Sequence, residues 1–226
     1  MNLNWIAFPI LFLSIVLHEV AHGYTAFKRG DDTAYHLGRL TLNPIPHVDP
    51  VGSIIIPLLC YFSGMPVFGW AKPVPINMAR LEHPNSDMGK VSLAGPMTNV
   101  LIALIAALAL KIALITTNNF TSVGPQHAQL AGIFVLTMFL FMQINIMLAV
   151  FNMMPILPLD GGRVLMSILP HNLQLKYGHT ERYGMMVVII FIVIGGARFI
   201  VWPIAGLILK LIEISFGLQP VFGLLR

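Results

Sequence analysis

WIAFPILFLSIVLHEVAHGYTAF, Trp5 to Phe27, is the stretch that decides the fold class. It is almost entirely apolar and as long as the ~20 residues a helical membrane span needs. Yet it carries His18, Glu19 and His22 near its C-terminal end. Ionisable groups at membrane depth are costly, so a cluster of them marks a functional site. On a helix, positions four apart project from one face. His18 and His22 can therefore offer two imidazole nitrogens to one zinc ion, with Glu19 beside the metal as general base. That arrangement points to a metalloprotease whose active site is in the membrane.

The rest of the chain agrees with a membrane location. Of 226 residues, 57% are hydrophobic and 10% charged, and the mean hydropathy is +0.81. A soluble domain carries about 25% charged residues. The apolar runs are continuous, unlike the alternating segments of about ten residues in a β-barrel. The fold class expected is an all-α integral membrane protein. The net charge of +4 is spread over scattered basic residues, which argues against a nucleic-acid partner. The single cysteine, Cys60, excludes an internal disulfide. The first apolar run has no basic n-region and no small-residue cleavage site, so it reads as a span rather than a signal peptide.

Five membrane-spanning helices and one ambiguous segment are expected. The first covers about residues 4–27. A polar, Pro/Gly-rich stretch, 28–50, follows. Ile54 to Phe62 is apolar but too short to cross, and reads as re-entrant or interfacial. After a second Pro-rich stretch, helices are expected over 88–115 and 129–154, then a loop and short helix over 155–169. The apolar tail, 183–218, is expected to break near Trp202-Pro203 into two helices. The whole chain, 1–226, reads as one membrane-embedded domain, with a core at about 4–170 and extra helices at about 180–218.

Basic residues orient the chain. Lys28, Arg29, Arg39, Lys72, Arg80 and Lys90 lie between the first two long spans, and Arg163, Lys176 and Arg182 follow the third. The loop 116–129 has no Lys or Arg. By the positive-inside rule the two basic regions face the cytoplasm and the N-terminus lies outside. His18 and His22 then sit toward the cytoplasmic side. A catalytic zinc takes three protein ligands, and the third must lie at the same depth. Asp160 follows a span running in the same direction as the first, so its depth is compatible. Prolines 155 and 158 and Gly161-Gly162 imply irregular backbone there, which survives at membrane depth only around a protein-lined or wet cavity. Asn152, at the end of that span, is placed to hydrogen-bond an oxyanion or the substrate backbone.

Three motifs in order, His18-Glu-Val-Ala-His22, Ser92-Leu-Ala-Gly-Pro-Met-Thr-Asn99 and Asn152-Met-Met-Pro-Ile-Leu-Pro-Leu-Asp160-Gly161, carry a family resemblance. The chain resembles the site-2 protease family of intramembrane zinc metalloproteases, over roughly residues 4–170. It looks closest to small prokaryotic members without a PDZ or nucleotide-binding module. The resemblance implies one zinc ion held by His18, His22 and Asp160, with Glu19 as base. It implies a three-helix core, a prokaryotic cytoplasmic membrane, and regulated cleavage of membrane-embedded protein substrates. It also implies a membrane-re-entrant β-hairpin, whose strands here would be residues 38–43 and 69–77. An exposed strand edge would hold an unwound substrate extended.

Plainer readings compete at several positions. Asn99 and Gly95-Pro96 suit a helix contact better than substrate binding, though Asn99 stays a lesser candidate for the site. His47 and Asp49 fit a polar loop near the cavity mouth better than further ligands. The runner-up function is a metal transporter or channel using the same residues as a transit site. Transporters often contain internal repeats, and the His18–His22 pattern has no second copy.

Overall fold

The computed structural model describes residues 4–63, 69–117 and 125–224. Among these, ten α-helices follow in order: α1 (Asn4–Lys28), α2 (Thr33–His36), α3 (Ile56–Ser63), α4 (Pro84–Thr116), α5 (Pro125–Asn152), α6 (Asp160–Ile168), α7 (His171–Gly178), α8 (Glu181–Val193), α9 (Trp202–Phe216) and α10 (Gln219–Leu224). Four helical stretches are long and apolar enough to cross a membrane: Ile6–Lys28, Pro84–Thr116, Gln129–Asn152 and Ala197–Phe216. The protein is a multi-pass, all-α membrane protein. The sequence led us to expect five or six spanning or re-entrant helices. The described residues give four of spanning length, plus the short apolar α3 and α8.

α4 is the centre of the bundle and packs against α1, α5, α6 and α9. Its buried side chains recur every three or four residues from Asp87 to Leu114. Lipid offers helices no hydrophobic drive to associate, so small residues that permit close approach carry the packing. Ala103, Ala106 and Ala107 serve this role, meeting Met142 and Ile146 of α5 and Ala205 and Ile212 of α9 in one apolar cluster. Leu101, Ile105, Leu108 and Ile112 of α4 point outward, as lipid-facing residues do.

α1 shows the same logic with different chemistry. Ile10, Ser14, His18, His22 and Ala26 are all buried and four residues apart. Phe8, Leu13, Tyr24 and Phe27 are exposed on its other faces. The buried stripe thus carries both histidines and a serine into the bundle.

Two expectations are revised. No β-hairpin is seen among the described residues: 38–43 and 69–77 are irregular. Pro73 and Pro75 have no N–H to give a ladder. The Val74 N–H between them donates to Glu19 Oε2 at 2.8 Å. The buried Arg39 guanidinium holds the segment instead, donating to the carbonyls of Lys72 at 2.8 Å and Pro73 at 3.2 Å. The break in the C-terminal tail also lies earlier than expected. α8 ends at Val193, and Gly195 turns the chain with φ +82°. A π-helical turn, Ala197–Val201, then leads into α9. Pro203 sits in the first turn of α9, where its missing N–H costs nothing.

Candidate active site

The i, i+4 stripe of α1 meets the N-terminus of α6 beside α4. His18 Nε2 lies 3.1 Å from Asp160 Oδ2, and His22 Nε2 lies 3.3 Å from Asp160 Oδ1. The two Nε2 atoms are 3.0 Å apart. The histidine side chains are 7% and 8% exposed and that of Asp160 14%, so water screens little of this contact. Gly95 of α4 makes the approach possible: a Cβ there would lie 2.4 Å from His22 Nε2 and 2.6 Å from His18 Cε1.

Proton positions follow from the partners of the other ring nitrogens. His22 Nδ1 lies 2.7 Å from the Val91 carbonyl, which can only accept. His18 Nδ1 lies 2.6 Å from Asn99 Oδ1, also an acceptor. Both imidazoles therefore carry their proton on Nδ1 and aim an Nε2 lone pair inward. Two imidazole nitrogens and a carboxylate face one another, a group that a positive charge, a proton or a metal ion, would complete. Zinc fits it. Tetrahedral coordination at ~2.0–2.1 Å would put ligand atoms about 3.3 Å apart. A carbonyl or amide oxygen behind each imidazole is the outer shell that metal-ligating histidines use.

Glu19 and His18 line one cavity of about 200 Å³. Its other walls are mainly apolar: Ile15, Trp70, Leu148, Phe151, Pro158, and Met185 and Val188 of α8. α8 reaches this position because Gly184 has no side chain; a Cβ there would lie 2.0 Å from the Leu157 carbonyl oxygen. α8 thus docks on the loop that delivers Asp160 and closes one side of the cavity.

With this geometry, sequence similarity becomes specific. Residues 75–195 match peptidase family M50. The chain belongs to that family. The M50 chain is 35% identical to YwhC of Bacillus subtilis (strain 168) over 93% of its own length and 91% of that relative. It is 29% identical to Rip2 of Mycolicibacterium smegmatis over 80% of its length and 64% of the relative. MJ0392 of Methanocaldococcus jannaschii is 24% identical over 78% of the chain and 37% of the relative. All three carry names that assign them to the zinc metalloproteases. No solved structure shows a significant match.

The other candidate residues of the M50 chain divide clearly. Asn152 is on the cavity wall, its amide donating back to the Leu148 carbonyl at 3.1 Å. Asn99 is fully buried and bonds to His18 and Asn145; it is not among the cavity-lining residues. Asp49 accepts from the N–H groups of Val51 at 3.0 Å and Gly52 at 2.6 Å, capping the helical turn Pro50–Ile55. His47 is wholly buried, with Nε2 3.0 Å from the Thr41 carbonyl. Both are loop-forming residues outside the His18–His22–Asp160 group. Sequence reasoning missed the Val74 amide, Trp70, Asn145 and the α8 wall. Only Asn145 left a readable signal, as an amide within a span, seven residues and two helical turns before Asn152.

Proposed function

We propose that the protein is an intramembrane zinc endopeptidase that hydrolyses peptide bonds of membrane-embedded protein segments. The observation carrying this reading is the close group of His18, His22 and Asp160, of which His18 lines an apolar-walled cavity together with Glu19. When bound there, one zinc ion supplies a Lewis acid that acidifies water and polarises a peptide carbonyl. Glu19 takes the water's proton and passes it to the departing amine. The Val74 N–H fixes Oε2 of that carboxylate and leaves Oε1 for the proton. Asn152 is at hand to bind the substrate backbone or the developing oxyanion. The apolar walls accept side chains typical of a membrane span and keep bulk water from the reacting bond.

The chain acts as a single membrane domain, since α8 and α9 pack onto the core that carries the site. Arg29 at the end of α1 and Lys90 at the start of α4 share the carboxylate of Asp87. This basic end of the bundle faces the cytoplasm of a prokaryotic cell membrane by the positive-inside rule, with the N-terminus outside. The substrates are single-span proteins or membrane-held remnants, cut in regulated intramembrane proteolysis.

The test is cleavage of a single-span substrate by purified protein in detergent, with zinc content measured. Glu19→Gln should retain zinc and lose about 10²–10⁴-fold in rate. If the variant cuts at the wild-type rate, Glu19 is not the base. Zinc flux through vesicles without any cleavage would replace the peptidase with a transporter.

A further inference from the structure

Four polar side chains in the bilayer-spanning bundle form a continuous hydrogen-bonded line that ends on a metal ligand. His18 Nδ1 donates to Asn99 Oδ1 at 2.6 Å. Asn99 Nδ2 donates to Asn145 Oδ1 at 2.8 Å. Asn145 Nδ2 donates to Ser14 Oγ and to the Phe141 carbonyl, each at 2.9 Å. Ser14, Asn99 and Asn145 are completely buried. They come from α1, α4 and α5, so the line ties together the three spans that build the site.

The direction of every bond in this line is set at one end. A backbone carbonyl has no hydrogen to give, so the Phe141 oxygen requires the NH₂ of Asn145 to face it. The Oδ1 of Asn145 must then point at Asn99 and accept. Asn99 must answer with its own NH₂, which turns its Oδ1 to His18. His18 must then hold its proton on Nδ1, leaving Nε2 bare. Reversing either amide would set oxygen against oxygen, or NH₂ against an N–H, in a medium without water to relieve it.

We propose that Asn145 and Ser14 are positioning residues for the zinc site, acting through Asn99 to lock His18 in the tautomer that can ligate metal. This extends the zinc reading of the site and rests on it. It also accounts for the presence of three uncharged polar groups in a span interior, where such groups are expensive unless matched. Asn145 touches neither the cavity nor the acceptor group, so its contribution passes wholly through orientation.

The experiment compares wild type, Asn145→Ala, Ser14→Ala and Ile146→Ala in detergent. Ile146 is equally buried beside Asn145 but lies off the line. Zinc dissociation constants are read by chelator competition, and the His18 tautomer by ¹⁵N spectra of histidine-labelled, zinc-stripped protein. Asn145→Ala should weaken zinc binding about 10–100-fold, the usual loss for an outer-shell partner. It should also convert His18 from a single Nδ1–H form to a mixture. Ser14→Ala should shift both readouts in the same direction by less, and Ile146→Ala neither. A single tautomer and a zinc constant within twofold of wild type in Asn145→Ala overturn the proposal. So does an equal loss in Ile146→Ala, which would make the effect one of packing. Should Asn145→Ala fail to fold, Ser14→Ala decides by the same two readouts. A wild type that binds no zinc would refute the metalloprotease reading, while the ¹⁵N spectrum of the stripped protein still judges the line on its own.

Discussion

Two carboxylates of this protein, one buried and one mostly buried, have opposite surroundings. Asp87, at the start of α4, has no exposed side-chain surface. It receives Lys90 Nζ at 2.8 Å, Arg29 Nη1 at 3.4 Å and the His83 N–H at 2.9 Å. Every partner is a donor, and two are cations. Asp160, at the start of α6, faces two imidazole nitrogens whose protons point the other way. The fold supplies Asp87 with its counter-charge and leaves Asp160 to obtain one from outside. A structural acid is thus told from a candidate ligand by the protonation of what it meets. Residue type is the same for both, and neither side chain is more than 14% exposed.

That contrast can be broken by substitution. The largest effect is expected for Asp160→Asn. Zinc binding should fall by more than the ~10–100-fold typical of an outer-shell change, and proteolysis with it. The zinc-stripped variant should melt no lower than stripped wild type, because an amide NH₂ gives the imidazoles a donor. Zinc content and melting with chelator present check both parts; a destabilised stripped variant would mean the acceptors do not repel.

Gly95→Ala comes next. The new Cβ would lie 2.4 Å from His22 Nε2, so an imidazole must move off its ligating position. Zinc affinity should drop about 10-fold or more, measured by chelator competition, with helicity by circular dichroism unchanged. Asp87→Asn should do the reverse: a lower melting temperature, because Arg29 and Lys90 lose their shared anion, with zinc content unaltered. Loss of zinc in Asp87→Asn would join two regions that the structure keeps apart.

The smallest effect concerns a third acid, Asp32, which is partly exposed and bonds His36 and Arg80. Desolvation alone would raise its pKa, but hydrogen bonds from His36 and Arg80, and their charges, hold it below the usual carboxylate range. A lowered folded-state pKa adds stability above the unfolded value of ~3.9. That stability is lost as pH falls through the folded value. The melting difference between wild type and Asp32→Asn should therefore be small at pH 7 and vanish in acid. A difference that persists at low pH would show that Asp32 acts by packing rather than charge.

The legible parts of the site are those fixed by one helix or by topology. His18 and His22 share a face because 3.6 residues make a turn, whatever surrounds them. Asp160 was found because two spans running the same way place their ends at one depth. Asn99 was legible as a buried contact, but its partner was not, since His18 lies 81 residues away. The hairpin expectation for 38–43 and 69–77 went astray for a related reason. Pro73 and Pro75 remove the N–H on either side of Val74, and nothing in the sequence says that a carboxylate on α1 takes the one at Val74.

By itself, then, the sequence determined the membrane location, the all-helical class and the His/His pair on one helical face. Each depends on composition or on a spacing within one element. Tertiary packing decided which way each imidazole proton points, which amide N–H holds Glu19, and that α8 walls the cavity. These depend on contacts between groups far apart in the chain, where a carbonyl, an amide or a missing side chain is chosen by the neighbouring helix. The same carboxyl group is an ion-paired acid at Asp87 and a candidate metal ligand at Asp160 because packing sets a different neighbour against it.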